Sequence, residues 1–246
     1  MAASRGAIHI GTSGWTYDHW KRAFYPDGLA DDERLRYYAR HFDTVEINNS
    51  FYQLPTAKTL NHWRDSVPGH FRFAVKASRY ITHMKKLKDP EKGLRTFLDR
   101  AAVLDDRLGP ILFQMPPRWH FDENRLAAFL SNLNDDFRYA FEFRDRSWIN
   151  QSTFALLSAH GVAFCIYELD GFLSPKEVTA DFVYVRLHGP GGPYQGSYDA
   201  RVLSGWAGAF STWSRQGLDV YCYFDNDQAA YAAENAARLR KMLEHD

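Results

Sequence analysis

Eight short runs of β-branched and aromatic residues recur at near-even spacing along the chain, and stretches of helical periodicity separate them. The runs are Ala7–Thr12, Thr44–Asn48, Phe71–Ala77, Pro110–Met115, Arg138–Arg144, Val162–Tyr167, Phe182–His188 and Val220–Asp225. Between them, Leu35, Tyr38 and Phe42 are spaced three and four apart, as are Leu60, Trp63 and Val67, and Leu126, Phe129 and Leu133. A longer stripe runs from Leu94 through Leu98, Ala101 and Leu104 to Leu108. Leu203, Trp206, Phe210 and Trp213 form another, and Ala232, Ala236, Leu239 and Leu243 close the chain. Thr56 and Asp122 stand where helix N-caps belong. The segment after the fifth run, with Trp148, Ile149, Phe154 and Leu157, reads as helix. After the sixth run, Ser174-Pro175-Lys176-Glu177 begins no more than a turn or two.

Eight β-then-α units in about 245 residues match the count and size of a (β/α)8 TIM-type barrel. The sixth helix is expected to be short or irregular. A doubly wound open sheet is the competing arrangement, but no GxGxxG follows the first run. No Pro/Ser-rich linker or composition break divides the chain, so one α/β domain is expected over residues 7–246, behind a flexible tail at 1–6.

Lys+Arg and Asp+Glu both number 30, giving a formal net charge of zero. That argues against a protein that grips nucleic acid by bulk charge, while leaving room for a local basic cleft. Hydrophobic residues at 45% and charged residues at 24% exclude a disordered or fibrous chain. Cys165 and Cys222 lie in apolar runs without CxxC spacing and read as free buried thiols. The opening MAASRGAIHI has no long apolar core, and no stretch approaches the roughly 18 apolar residues of a membrane span. A cytoplasmic protein with no membrane partner is expected.

Barrel strands send alternate residues inward. Placing Val183, Val185 and Leu187 under helices turns Tyr184, Arg186 and His188 in. The same logic turns Ser13, Glu46, Asn48, Lys76, Gln114, Glu142, Arg144 and Asp225 in, near the C-terminal strand ends where barrels carry their chemistry. Ionisable groups are costly to bury unless paired or functional.

Several strings here carry a family resemblance. They are Gly11-Thr12-Ser13-Gly14-Trp15, Thr44-Val45-Glu46-Ile47-Asn48, Phe73-Ala74-Val75-Lys76, Gln114-Met115-Pro116-Pro117, Phe141-Glu142-Phe143-Arg144 with Trp148, Tyr184-Val185-Arg186-Leu187-His188-Gly189, and Tyr223-Phe224-Asp225-Asn226-Asp227. Together they resemble the YecE-like family, domain of unknown function 72, from about residue 7 to about residue 240. The resemblance implies a TIM-type barrel and assigns no reaction. Asp225 departs from the Asn-Asn pair more usual in that family, which counts against an obligatory metal or acid role there.

GxSxG, P-loop, HExxH and Cys/His zinc spacings are all missing, so serine hydrolase, NTPase and zincin readings drop out. Anion recognition is the leading feature. Arg144 and Arg186 offer planar forks, and Lys76 offers a point charge. The Gly-rich loop from Gly189 to Gly196 follows the seventh run, where barrels often hold phosphate. Asn48, Gln114, Tyr198, Asp225 and Asn226 complete the expected substrate contacts, and Trp15, Tyr52 and Trp148 the aromatic rim. Glu46 and Glu142 are the acid–base pair, with His188 assisting either. The expected function is an enzyme, of hydrolase type by slight preference, acting on an anionic small molecule without a cofactor. Two alternatives stand beside it. One is a metal-dependent phosphodiesterase or endonuclease holding a divalent metal at Glu46, Glu142, His188 and Asp225. The other is a non-catalytic ligand sensor.

Overall fold

Strands buried on both faces must be covered by helices, and the runs rich in Val, Ile, Phe and Tyr fit that requirement. The protein is represented by a computed structural model that describes residues 4–244. Its strands are β1 (Ile8–Thr12), β2 (Thr44–Ile47), β3 (Arg72–Lys76), β4 (Leu108–Gln114), β5 (Tyr139–Glu142), β6 (Ala163–Leu169), β7 (Phe172–Leu173), β8 (Phe182–Leu187) and β9 (Asp219–Phe224). The helices are α1 (Arg34–Tyr38), α2 (Ala57–Asp65), α3 (Pro90–Ala101), α4 (Glu123–Leu130), α5 (Gln151–Ala159), α6 (Ala200–Arg215) and α7 (Tyr231–Leu243). Strand order is β1-β9-β8-β6-β5-β4-β3-β2, with β7 attached to β6. A parallel bridge from Ser13 to Glu46 carries the pairing from β1 to β2. Mostly parallel strands in this order, with helices between them, make a TIM-barrel-like α/β fold. All eight runs read from the sequence are strands.

The chain divides into two compact units, with the boundaries falling inside β2 and β6. The first holds residues up to Glu46, Ile166–Ser174 and Phe182 onward. Within it, β1 pairs with β9 from Ile8↔Val220 to Thr12↔Phe224, and β9 pairs with β8 from Phe182↔Asp219 to Leu187↔Phe224. Gly11 permits a close approach, because a Cβ there would lie 2.1 Å from the carbonyl oxygen of Thr44. Asp199 caps α6 by accepting from the Val202 amide, and Leu203, Trp206 and Phe210 bury its inner face. Residues 1–3 of the expected tail, and residues 245 and 246 of the expected domain, lie outside the described residues. Gly6, also in the expected tail, donates its amide to Ser214 O at 2.9 Å and accepts from Ser214 Oγ at 2.7 Å.

The second unit holds Ile47–Cys165 and Pro175–Asp181. Its sheet runs β3, β4, β5 and the start of β6, with Gln114 opposite Glu142. Thr56, Asp122 and Asn150 cap α2, α4 and α5 through their side-chain oxygens. The apolar stripe from Leu94 does not continue as one helix to Leu108. The α-helix ends at Ala101, Asp105 turns to φ 52°, and Leu108 already opens β4.

After β6 the expected turn of helix is replaced. In the first unit β7 folds back antiparallel on β6, and Ser174 Oγ accepts from the Tyr167 amide. In the second, Thr179 Oγ1 accepts from the Phe164 amide at 2.7 Å and donates to the Val162 carbonyl at 2.6 Å. These side chains satisfy backbone groups that a packed helix would only have shielded. Thr179→Val keeps the shape but leaves both backbone groups unpaired. It should lower the unfolding free energy by about 2 kcal/mol in urea titration.

Candidate active site

The first unit places Ser13 after β1, Glu46 in β2, Arg186 in β8, His188 just past it and Asp225 just past β9. Glu46, Arg186 and His188 are fully buried, and Asp225 is nearly so. Arg186 Nη2 donates to Glu46 Oε1 at 2.8 Å and to Asp225 Oδ2 at 3.1 Å. Glu46 also accepts from Ser13 Oγ at 2.8 Å and from Tyr184 OH at 2.7 Å. Three donors, one of them cationic, thus converge on this one carboxylate. Burial and the neighbouring Glu46 push the Tyr184 phenol well above its ordinary range, so it stays a donor.

His188 Nδ1 lies 2.9 Å from Asp225 Oδ2, and its Nε2 lies 3.4 Å from Arg186 Nη1. Arginine only donates, so Nε2 is the accepting atom and the proton sits on Nδ1, donated to Asp225. Tyr17 donates to the Ser13 carbonyl. Burial, then Asp225, Asp227 and Glu46, raise the Tyr17 phenol far above its usual range. Burial, then Asp225, raises the Asp227 carboxyl, which His19 opposes. His19 Nε2 approaches the Asp227 carbonyl at 2.6 Å and its carboxylate at 3.5 Å, tying the segment after β1 to the one after β9.

The Gly189–Gly196 loop, expected to present amides to an anion, directs five of them to acceptors within the protein. Gly189 donates to Tyr198 OH, Gly191 to Gln195 O, Tyr194 to His188 O, Gln195 to Gly192 O, and Gly196 to Gln228 Oε1. Gly189, at φ 111°, has no room for a Cβ, which would meet Gln195 O at 2.2 Å. Asn226, expected as a substrate contact, donates instead to Gly196 O and Asn235 Oδ1. Asn235 also accepts from the Tyr198 amide. Asn226, Tyr198 and Gly189 therefore fix the loop. No motif singles out Asn235, although a lone amide inside the apolar stripe of α7 is the signal that marks it.

The second unit holds the other expected residues. Glu142 is fully buried, pairs with Arg144 Nε, and receives Cys165 Sγ at 3.8 Å. Lys76 Nζ sits 4.6 Å above the Phe51 ring, and that ring meets His83 edge-on at 4.9 Å. Burial, then Lys76, Arg79 and Arg144, push the His83 imidazole down to about 4. Arg79 and His83 stand outside every motif read from the sequence. Asn48 Oδ1 is buried with no hydrogen-bond partner among the described residues, and Gln114 is half-buried at the end of β4. Trp148 is not on an open rim. It is fully buried, stacks on Phe143 at 4.8 Å and donates to the Trp119 carbonyl. Trp15, in the first unit, is buried as well, whereas Tyr52 is 81% exposed.

Arg186, expected as an anion clamp, is engaged within the protein. Its guanidinium is already shared between two carboxylates. In the alternative metal set, Glu46 and Asp225 both aim at that guanidinium. Among the described residues no group of three His, Cys, Asp or Glu side chains is arranged to hold a metal ion.

The model of a family described as protein of unknown function DUF72 matches residues 9–246. The chain belongs to that family. It is 26% identical to UPF0759 protein YunF of Bacillus subtilis, over 96% of this chain and 95% of that one. It is 33% identical to UPF0759 protein YecE of Escherichia coli, over 56% of this chain and 48% of that one. A crystal structure of a DUF72 family protein from Thermotoga maritima superimposes with a TM-score of 0.87 at 28% identity, covering 97% of this chain and 99% of that one. The resemblance read from the motifs therefore holds.

Two outcomes follow from this geometry. Arg186→Met strands two buried carboxylates and should cost about 3–5 kcal/mol in denaturant unfolding. Adding Glu46→Gln should recover part of that loss, as a double-mutant cycle would show. The second concerns His83. Its folded value lies below the ordinary 6.5, so the unfolded chain takes the proton first. The group therefore withdraws stability as pH falls from 6.5 towards 4. By NMR titration, Lys76→Met should move the His83 midpoint up towards 6.5.

Proposed function

We propose that the chain is an enzyme that transfers protons on an anionic small molecule, with His188 as the acid–base group and Asp225 as its orienting partner. The observation that carries this reading is the Asp225–His188 pair, 2.9 Å apart and buried beside Arg186 and Glu46. A hydrogen bond at Nδ1 fixes the ring, and the Nε2 lone pair, which Arg186 Nη1 meets at 3.4 Å, takes up a proton once that long contact is exchanged for the substrate. Glu46, held by Ser13, Tyr184 and Arg186, serves as a fixed negative charge instead of a mobile base. The acid–base pairing expected of Glu46 and Glu142 gives way to this assignment. Glu142 remains a second candidate within its own unit.

A metal-dependent phosphodiesterase is less well supported, since a divalent ion between Glu46 and Asp225 would have to displace a guanidinium. The anionic character of the substrate rests on Arg186, the cation within the same unit. The second unit offers a separate anion-binding candidate in its own right, where Lys76, Arg79 and Arg144 surround His83.

Both parts can be tested. Wild-type protein incubated with a cell metabolite extract should consume an anionic metabolite, read by untargeted mass spectrometry. The His188→Gln variant should retain that metabolite unconverted. Retention without consumption by wild type would make the protein a sensor, and neither retention nor consumption would remove the proposal. Millimolar phosphate should raise the melting temperature, since a ligand at a hundredfold excess over its Kd adds about 2.7 kcal/mol. Lys76→Ala should abolish most of that rise.

A further inference from the structure

The segment Arg79–Lys88 stands apart from the rest of this neutral protein. It carries Arg79, Lys85, Lys86 and Lys88 and no carboxylate until Asp89. Lys85 is the member with an acidic neighbour, Asp89 at 3.5 Å, and it also lies 6.0 Å over the Tyr80 ring. The segment begins with a π-helical turn, Tyr80–Met84, of the kind that recurs at functional sites. Lys86, Leu87 and Asp89 follow at φ between 46° and 64°, so the cations are presented on a tight, irregular loop.

Large apolar side chains are also exposed here. Tyr52 is 81% exposed, Met84 69% and Tyr80 46%. Tyr52 is joined to the segment through Phe51, which it meets edge-on at 5.0 Å and which in turn meets His83 at 4.9 Å. Flat rings left open beside unneutralised cations are a combination that solvation alone does not favour. The same combination recognises strands whose bases are unstacked and whose phosphates repeat. A duplex hides its base faces, and a free nucleotide needs one phosphate contact instead of several.

We infer that this face of the second unit binds single-stranded nucleic acid, with bases stacking on Tyr52 and Tyr80 and phosphates running along Arg79, Lys86 and Lys88. The inference does not rest on the proposed reaction, and its variants leave Lys76, Arg144 and His188 untouched.

The probe is a fluorescein-labelled twelve-residue oligothymidylate, followed by anisotropy across a salt series. Wild type should bind it with steep salt dependence, more tightly than a duplex of equal length and far more tightly than AMP. Tyr52→Ala should weaken binding roughly tenfold with the salt slope nearly unchanged. Combining Lys86→Ala and Lys88→Ala should reduce the slope of log K against log salt by about 1.4, at roughly 0.7 for each phosphate no longer neutralised. All three substituted positions are exposed, so folding is not at issue, and circular dichroism verifies it. The inference is overturned by no binding at low salt, by duplex or AMP binding as tightly as the oligonucleotide, or by variants that bind like wild type. Loss of the phosphate-induced melting shift with oligonucleotide binding intact would count against the anionic-substrate reading alone.

Discussion

Arg186 is the point on which the first unit depends. Its guanidinium is fully buried and meets Glu46 from β2 and Asp225 from the end of β9. Removing a charge from water is costly, and partners at 2.8 and 3.1 Å recover that cost only while every group stays in place. The pairing therefore fixes more than charge. Glu46 is also held by Ser13 beyond β1 and by Tyr184 in β8, so one carboxylate gathers three strands. Thr44 and Tyr223 repeat the device one layer lower, with oxygens 2.7 Å apart. A well-packed apolar set of similar volume would hold the same strands at no electrostatic risk. That so much ionisable chemistry occupies the position instead is the strongest argument that the position is used.

A zero net charge describes the sum over the chain and hides its distribution. Positive charge gathers around His83 and along Arg79–Lys88, and the rest of the chain supplies the balance. The same distinction between totals and arrangement applies to the glycine-rich loop. Its composition matches a phosphate loop, but the amides of Gly189, Gly191, Tyr194, Gln195 and Gly196 already have acceptors within the protein, and a spent donor is a poorer ligand for an anion.

The eight strands were legible because β-branched and aromatic runs with helical stripes between them leave few alternatives. Polar residues alternating with apolar ones along β2, β5 and β8 singled out Glu46, Glu142 and Arg186, and all three are buried. Pairing was not legible. Alternation shows that Arg186 points inward, but not that Glu46 and Asp225 arrive at the same place from strands distant in sequence. Trp148 shows the matching ambiguity for aromatics, because its sequence position suits a rim and a core equally. Packing against Phe143 decides it. The segment after β6 defeated periodicity because Ser174 and Thr179 satisfy the backbone through side chains, which leaves no periodic trace.

Asp225 shows what the site requires at that point. Its Oδ2 receives both the Arg186 Nη2 and the His188 Nδ1 hydrogen bonds. A single oxygen thus meets a guanidinium and an imidazole at once, so the side chain that orients the ring also sets a second negative charge, beside that of Glu46, against Arg186.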